Sequence, residues 1–357
     1  MNLDFSDEQK AARDQIRRLL QDFPGLKSTR NALDGREAFD RRLWAQLGRD
    51  GWLGCAVPET YGGQDLGYEM LCCVAGEIGR SMAAVPFSSS VVMASDALVR
   101  GGSITQRQTW LPALTRGERI GAVALAEGAG ALRAESIQTR VSVGQMHGTK
   151  VGVGDGMIAD LFIVLAQQDG KPGLYLVDAH TVGVKREPQE GVDPAHAPAR
   201  IHFNGAVSEP LSGLGNWGAV QAQLERAAII VAFEQIGVAD AALALALEYA
   251  QTRHAFGRVI GSFQAIKHKL AEVYIANELA RANAFYAAWA LQSAAPSLPL
   301  AAAAARVSAT EALERAAREL IQVHGGIAVT WEHDCHLFYR RSQYLGLMLD
   351  GLRAWQD

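Results

Sequence analysis

The chain is poor in cysteine, in basic charge and in uncharged apolar runs. Only four cysteines, Cys55, Cys72, Cys73 and Cys335, occur in 357 residues, and no two form a CxxC pair. That suggests neither a zinc site nor a disulfide framework and leaves buried, reduced thiols as the reading. Lys and Arg number 34 against 38 Asp and Glu, a formal charge of −4. No basic field is available for nucleic acid. No 18-residue apolar stretch is free of charge, so no membrane span is expected. The start, MNLDFSDEQKAARDQ, is polar from its fourth residue and lacks an apolar signal region, which makes the cytoplasm the expected location. What remains is ordinary globular composition, 49% hydrophobic and 20% charged. The length allows two or three domains.

Three regions differ in pattern. Residues 1–118 read as an N-terminal helical domain. Ser6 with Glu8 and Gln9 is placed to cap a helix running through residue 22. "RRLWAQLGRDGWLG" is a helix ending at glycines, "PETYGGQD" a loop, "YEMLCCVAGEIGRSM" a further helix. "QRQTWLPALTRGER" reads as a short helix broken by Pro112. Residues 119–215 turn to short apolar runs between Gly, Asp and Pro, which predicts a middle β-sandwich or barrel domain. "QQDGKPG" is a hairpin turn. Residues 216–357 return to helix. Long segments at 219–253, 263–293, 300–326 and 331–355 predict a C-terminal four-helix bundle. The alanines at 301–305 mark a close helix–helix contact. The fold class is α+β.

Chemistry concentrates at two bundle turns. Arg253, Phe256 and Gln264 lie between the first two long helices, and Gln322, Gly325 and Gly326 end the third. An Arg fork suits pyrophosphate, Gln both donates and accepts, and Gly admits close backbone approach. By spacing alone this set fits either the ADP half of a dinucleotide or a tight interhelical turn with a surface Arg.

The pattern R-x-x-F-G-x-x-I-x-x-F-Q, followed about 58 residues later by Q-x-x-G-G, resembles the acyl-CoA dehydrogenases. "DFSDEQKAARDQIRRLL", "VPETYGG" and "WLPALTRGERIGAVALAE" resemble them too, in the same order, and the likeness covers the whole chain. The resemblance implies a helical domain, a β domain and a helical bundle, and FAD as cofactor. It implies that Arg253, Phe256, Gln264, Gln322, Gly325 and Gly326 bind the ADP part of an FAD seated in the neighbouring subunit. It implies a reaction that introduces an α,β double bond into an acyl-CoA thioester. A carboxylate takes the α proton, the β hydride passes to flavin, and an electron-transfer flavoprotein accepts the electrons.

The chain departs from that family where it would hold its own flavin ring. The family's base position falls on Leu349, which takes no proton. Asp350 is adjacent, but one helical step turns it by about 100°. A second family position falls on Ala227. Glu225 is two residues away from it, and Glu234 lies two turns on along the same face. Asp350 and Glu234 are therefore the catalytic candidates on this chain. A family T-E-P-G-A-G-S-D stretch appears as "AEGAGALRAE", and Gly152 and Gly154 stand where a Trp and a hydroxyl would meet the isoalloxazine. An intact outward clamp beside an eroded inward pocket is the pattern of one subunit of a heteromeric, α2β2 enzyme of lipid metabolism. Its related partner chain shares the FAD and supplies the base, and its substrates include bulky thioesters such as steroid side chains. Two alternatives stand: a self-sufficient homotetramer using Asp350 or Glu234, and a non-catalytic scaffold subunit.

"EHDCH" at 332–336 is set aside as a metal site, because neighbouring helical residues diverge and Glu332 with His336 supplies only two ligands. His324 reads as a helix-end cap, "KHK" at 267–269 as a solvated basic face, and Arg340 and Arg341 as surface or interface pairing.

Overall fold

A computed structural model describes residues 5–356. The helices, in chain order, are α1 (Asp7–Gln21), α2 (Gly25–Leu33), α3 (Arg41–Arg49), α4 (Gly67–Ser81), α5 (Asp96–Gly101) and α6 (Ile104–Thr115). A nine-residue π-helix, Phe87–Ser95, precedes α5. The strands are β1 (Gly121–Ala124), β2 (Arg140–Ser142), β3 (Gln145–Gly154), β4 (Leu161–Gln168), β5 (Lys171–Asp178), β6 (Val184–Pro188), β7 (Pro198–Val207) and β8 (Glu209–Pro210). There follow α7 (Trp217–Thr252), a small hairpin of β9 (His254–Ala255) and β10 (Arg258–Val259), α8 (Gln264–Gln292), α9 (Leu298–His324), α10 (Cys335–Leu347) and α11 (Arg353–Gln356). The α+β class read from the sequence is the observed one. Two compact units result: residues up to 34 with 72–83 and 228 onward, and residues 35–71 with 84–227.

The helical unit is built on local signals. Ser6 accepts the Gln9 backbone N–H at 3.2 Å and Gln9 Oε1 accepts that of Ser6 at 2.8 Å, a reciprocal cap for α1. Helix α4 crosses α7 at glycines: a Cβ on Gly237 would stand 2.0 Å from the Gly76 carbonyl oxygen, and one on Gly79 2.1 Å from that of Glu234. Backbone meets backbone there, and no side chain fits between. Helices α8 and α9 pack along one another through buried alanines, among them Ala280, Ala284 and Ala287 on α8 and Ala301, Ala302 and Ala305 on α9. Helix α7 is long and apolar enough, by length and composition, to cross a membrane, with mean hydropathy 1.8 over its best window. Yet 78% of that window is buried within the chain, as in a core helix.

Three sequence expectations need correction. The fourth bundle helix does not run to 355: α10 stops at Leu347, because Leu349, Asp350 and Gly351 follow with φ of 56°, 84° and 72°. Arg306 donates to the Leu345 and Met348 carbonyls, both at 2.6 Å, so the helix end is satisfied from α9 rather than by continuation. Pro112 does not break α6; it sits one turn before the helix end at Thr115, where little of the ladder is left to lose. Arg341 is fully buried and donates to the Ala83 carbonyl, so it is no surface residue. The π-helix is buried along its whole length and carries no amphipathic period that would reveal it in sequence.

In the second unit the strands form one curled eight-stranded sheet, ordered β6-β7-β3-β2-β4-β5-β8, with β1 parallel to β4. Strand β4 is apolar on both faces. Phe162, Val164 and Ala166 join a core with Ile201 and Phe203, while Leu161, Ile163 and Leu165 join one with Leu98, Leu111 and Leu114. The β4–β5 turn, Asp169-Gly170, has φ of 52° and 75°, the left-handed pair that a two-residue hairpin requires.

Candidate functional site

The clamp is assembled from the two turns that the sequence singles out. Between α7 and α8 the β9–β10 hairpin turns at Phe256-Gly257, with φ of 53° and 78°. A bulky residue in the left-handed region is strained, and strain of this kind collects at functional sites. Phe256 is also 95% exposed, so its one edge-on ring contact leaves most of the side chain open to solvent. Phe263 supports the hairpin: the Phe256 ring meets it edge-on at 6.3 Å and the Arg258 guanidinium lies 4.0 Å over it. The Ile260 N–H donates to the Arg253 carbonyl at 2.8 Å, closing the base. Arg253 and Gln264, the first residue of α8, are exposed.

The second turn ends α9. Gln322 is exposed on its last turn, and Gly325 caps it at φ 67°, ψ −146°, a conformation essentially reserved for glycine. A Cβ built on Gly257, Gly325 or Gly326 meets nothing within 4 Å, so the space over each backbone is open to a ligand. The turns are neighbours: Tyr249, just before the hairpin, stacks on His324, just before Gly325, with ring centroids 4.1 Å apart. All six residues therefore belong to one exposed corner of the bundle. Arg, two amides and bare backbone form a donor set that fits the ADP portion of FAD.

The two carboxylates lie in contrasting places. Glu234 is buried on α7, and its charge raises the pKa of Arg306, whose own burial pushes the other way and lowers it to about 10. Glu234 thus acts electrostatically on the residue that caps the end of α10. Asp350 is half-buried in the left-handed segment after α10, so the helical 100° argument does not govern it. The same segment buries Leu349, whose carbonyl accepts from the Trp355 indole at 2.8 Å.

Comparison with known proteins now decides the family. The "Acyl-CoA dehydrogenase, N-terminal domain" profile matches residues 6–118, and the "Acyl-CoA dehydrogenase, C-terminal domain" profile matches residues 216–349. Acyl-CoA dehydrogenase FadE27 of Mycobacterium tuberculosis (strain ATCC 25618 / H37Rv) is 33% identical over 88% of this chain and 86% of its own. Acyl-CoA dehydrogenase IpdE2 of the same organism is 31% identical over 97% and 94%. The chain is an acyl-CoA dehydrogenase. Among solved structures, the ChsE4–ChsE5 complex from Mycobacterium tuberculosis superposes with TM-score 0.90 at 29% identity, covering 100% of this chain and 97% of that one. The Tcur3481–Tcur3483 steroid ACAD superposes with TM-score 0.90 at 30% identity, covering 98% and 96%. Acyl-CoA dehydrogenases are FAD-dependent oxidoreductases, and this chain carries that fold and chemistry.

The expected position of the flavin wall lies in the β unit. Gly152 lies where the β3–β7 register slips, between Lys150 and Val153, with φ 65°. A Trp there would be strained. The Gly152 N–H already donates to Gln189 Oε1 at 2.8 Å. Glu127, in the glycine loop 126–135, is committed to structure. It accepts from Lys150 Nζ and from the Gln138 and Thr139 N–H groups at 2.7–2.8 Å, and these bonds hold its carboxyl below the usual range against the opposing effect of burial.

One polar network was not legible in sequence. Asp96 accepts from Tyr68 at 2.6 Å, Gln223 at 2.7 Å and Arg226 at 3.4 Å, and Arg226 lies 4.2 Å over the Tyr68 ring. Beside it on α7, Glu225 is half-buried, and burial alone raises its pKa. Only the 3.6-residue spacing of Gln223 and Arg226 hinted at this.

Proposed function

We propose that this acyl-CoA dehydrogenase is one subunit of a heteromer, in which it holds the ADP arm of an FAD shared with a related chain. The observation that carries the reading is an asymmetry. Six clamp residues lie together and face outward, while residues 152–154, Glu127 and Leu349 offer no ring support and no base. Arg253 would fork onto pyrophosphate, Gln264 and Gln322 would bond the sugar and phosphate edges, and Phe256 would cover the adenylate side. Gly325 and Gly326 would let backbone N–H groups approach. FAD, when bound, supplies hydride acceptance from the thioester β carbon. The α proton goes to a carboxylate on the partner chain, since the family position here is Leu349. Electrons then leave to an electron-transfer flavoprotein. The heteromeric ChsE4–ChsE5 complex and the two-chain Tcur3481–Tcur3483 steroid ACAD support a mixed tetramer and a bulky acyl chain such as a steroid side chain. We take residues 1–118, 119–215 and 216–357 as its N-terminal helical, β and bundle domains.

A homotetramer with its own base is the second reading, favoured by Asp350 alone. That carboxylate is half-buried in a left-handed segment beside the family position. The flavin-to-chain ratio separates the two. Expressed alone, the chain should carry far less than one FAD; coexpressed with a related dehydrogenase chain, it should form a yellow mixed tetramer. Arg253→Ala should strip FAD from that tetramer without dissociating it. Stoichiometric FAD and turnover from this chain alone would defeat the proposal.

A further inference from the structure

A second cluster lies where α9 passes into α10. His324 ends α9, His333 stands in the connection and Cys335 opens α10. One ligand-capable atom from each lies within 4.8 Å of the other two. We propose that these three side chains bind a divalent metal ion of borderline softness, zinc in its natural setting, with water completing a tetrahedron.

The sequence argument against a metal in "EHDCH" does not apply to this geometry. Residues 331–334 are not helical, so His333 and Cys335 need not diverge, and the third ligand arrives from a different helix. Glu332 is not in the cluster. Asp334 pairs with Arg30, and His336 faces the Trp331 carbonyl at 3.3 Å. His324 is oriented as metal-binding imidazoles usually are. Its Nδ1 faces the Leu320 carbonyl at 2.9 Å, so it donates there and leaves Nε2 with the lone pair. Tyr249 stacked at 4.1 Å fixes the ring plane. His333 is half-buried. Its Nδ1 receives only a long bond, 3.3 Å, from the Cys335 N–H, which a metal would replace.

Cys335 is fully buried. A metal ion takes its thiolate and the proton leaves to solvent, while both imidazoles bind through lone pairs without proton loss. Two nitrogens and a sulfur select zinc over magnesium or calcium, which want oxygen. The bound ion would staple α9 to α10 across the turn that displays Gly325 and Gly326.

The test is made on the untagged full-length chain, stripped with chelator and then desalted, without FAD, so its outcome is independent of the flavin reading. Co(II) added anaerobically should bind once per chain and give tetrahedral d–d bands with a thiolate charge-transfer band. Zn(II) should displace it and raise the melting temperature. His333→Gln and Cys335→Ser should each lose the charge-transfer band and weaken Zn(II) by more than about tenfold. His333→Gln, at a half-exposed position, should melt as the metal-free parent does and decides the matter if Cys335→Ser does not fold. A spectrum lacking the thiolate band, or Zn(II) affinity unchanged in His333→Gln, overturns the proposal.

Discussion

At the residue scale, charge burial decides which carboxylates are free for chemistry. Glu234 is buried and acts electrostatically on the wholly buried Arg306 guanidinium, which in turn holds the carbonyls that end α10. Glu234→Gln should therefore act on stability, seen as a fall in the denaturation midpoint. Asp350→Asn should leave turnover of the mixed complex intact, whereas loss of a true general base would cost about 10²–10⁴-fold; a collapse with FAD retained would place the base on this chain. Glu127 offers a pH test. Its carboxyl is held low in the folded state, so the stability it contributes is present above the ordinary Glu value of 4.5 and is lost as pH falls below it. Glu127→Gln should flatten that acid limb. It should also destabilise at neutral pH, because the fully buried Lys150 ammonium would lose its counter-charge and keep only neutral acceptors, the Leu125 carbonyl among them. Acid titration of the melting temperature, parent against variant, checks both statements.

At the element scale, the clamp depends on turns more than on helices. The hairpin tip, Phe256-Gly257, and the α9 cap, Gly325, all need left-handed or glycine-only backbone. Sequence showed the residues and their spacing. It did not show that Phe256 is held strained and outward, or that Tyr249 on His324 fastens one turn to the other. Gly325→Ala places a Cβ where no atom crowds it, yet at a φ that disfavours any side chain. The strain should cost about 1–3 kcal/mol and reduce FAD content in the mixed tetramer, while circular dichroism stays unchanged. Unaltered flavin content would show that the cap carries no cofactor contact. The end of α10 was misread for a related reason: apolar residues continue to 355, but Leu349 and Asp350 turn left-handed, and only Arg306 from another helix reveals where the ladder stops.

At the scale of the whole molecule, the chain has the fold of an acyl-CoA dehydrogenase. The proposed shared FAD makes coexpression with a related chain the experiment that bears most directly on function. The sequence by itself determined the class of fold, the sheet-forming middle region and the helical remainder, and it singled out the residues proposed for the cofactor arm. Those follow from periodicity, turn chemistry and motif spacing, which are properties of neighbours along the chain. Only the tertiary structure decided that Glu234 and Arg306 share a buried electrostatic environment, that Arg341 is interior, and that His324 meets His333 and Cys335. Burial and charge pairing arise between elements remote in sequence, and a linear pattern carries no record of which of them come within reach.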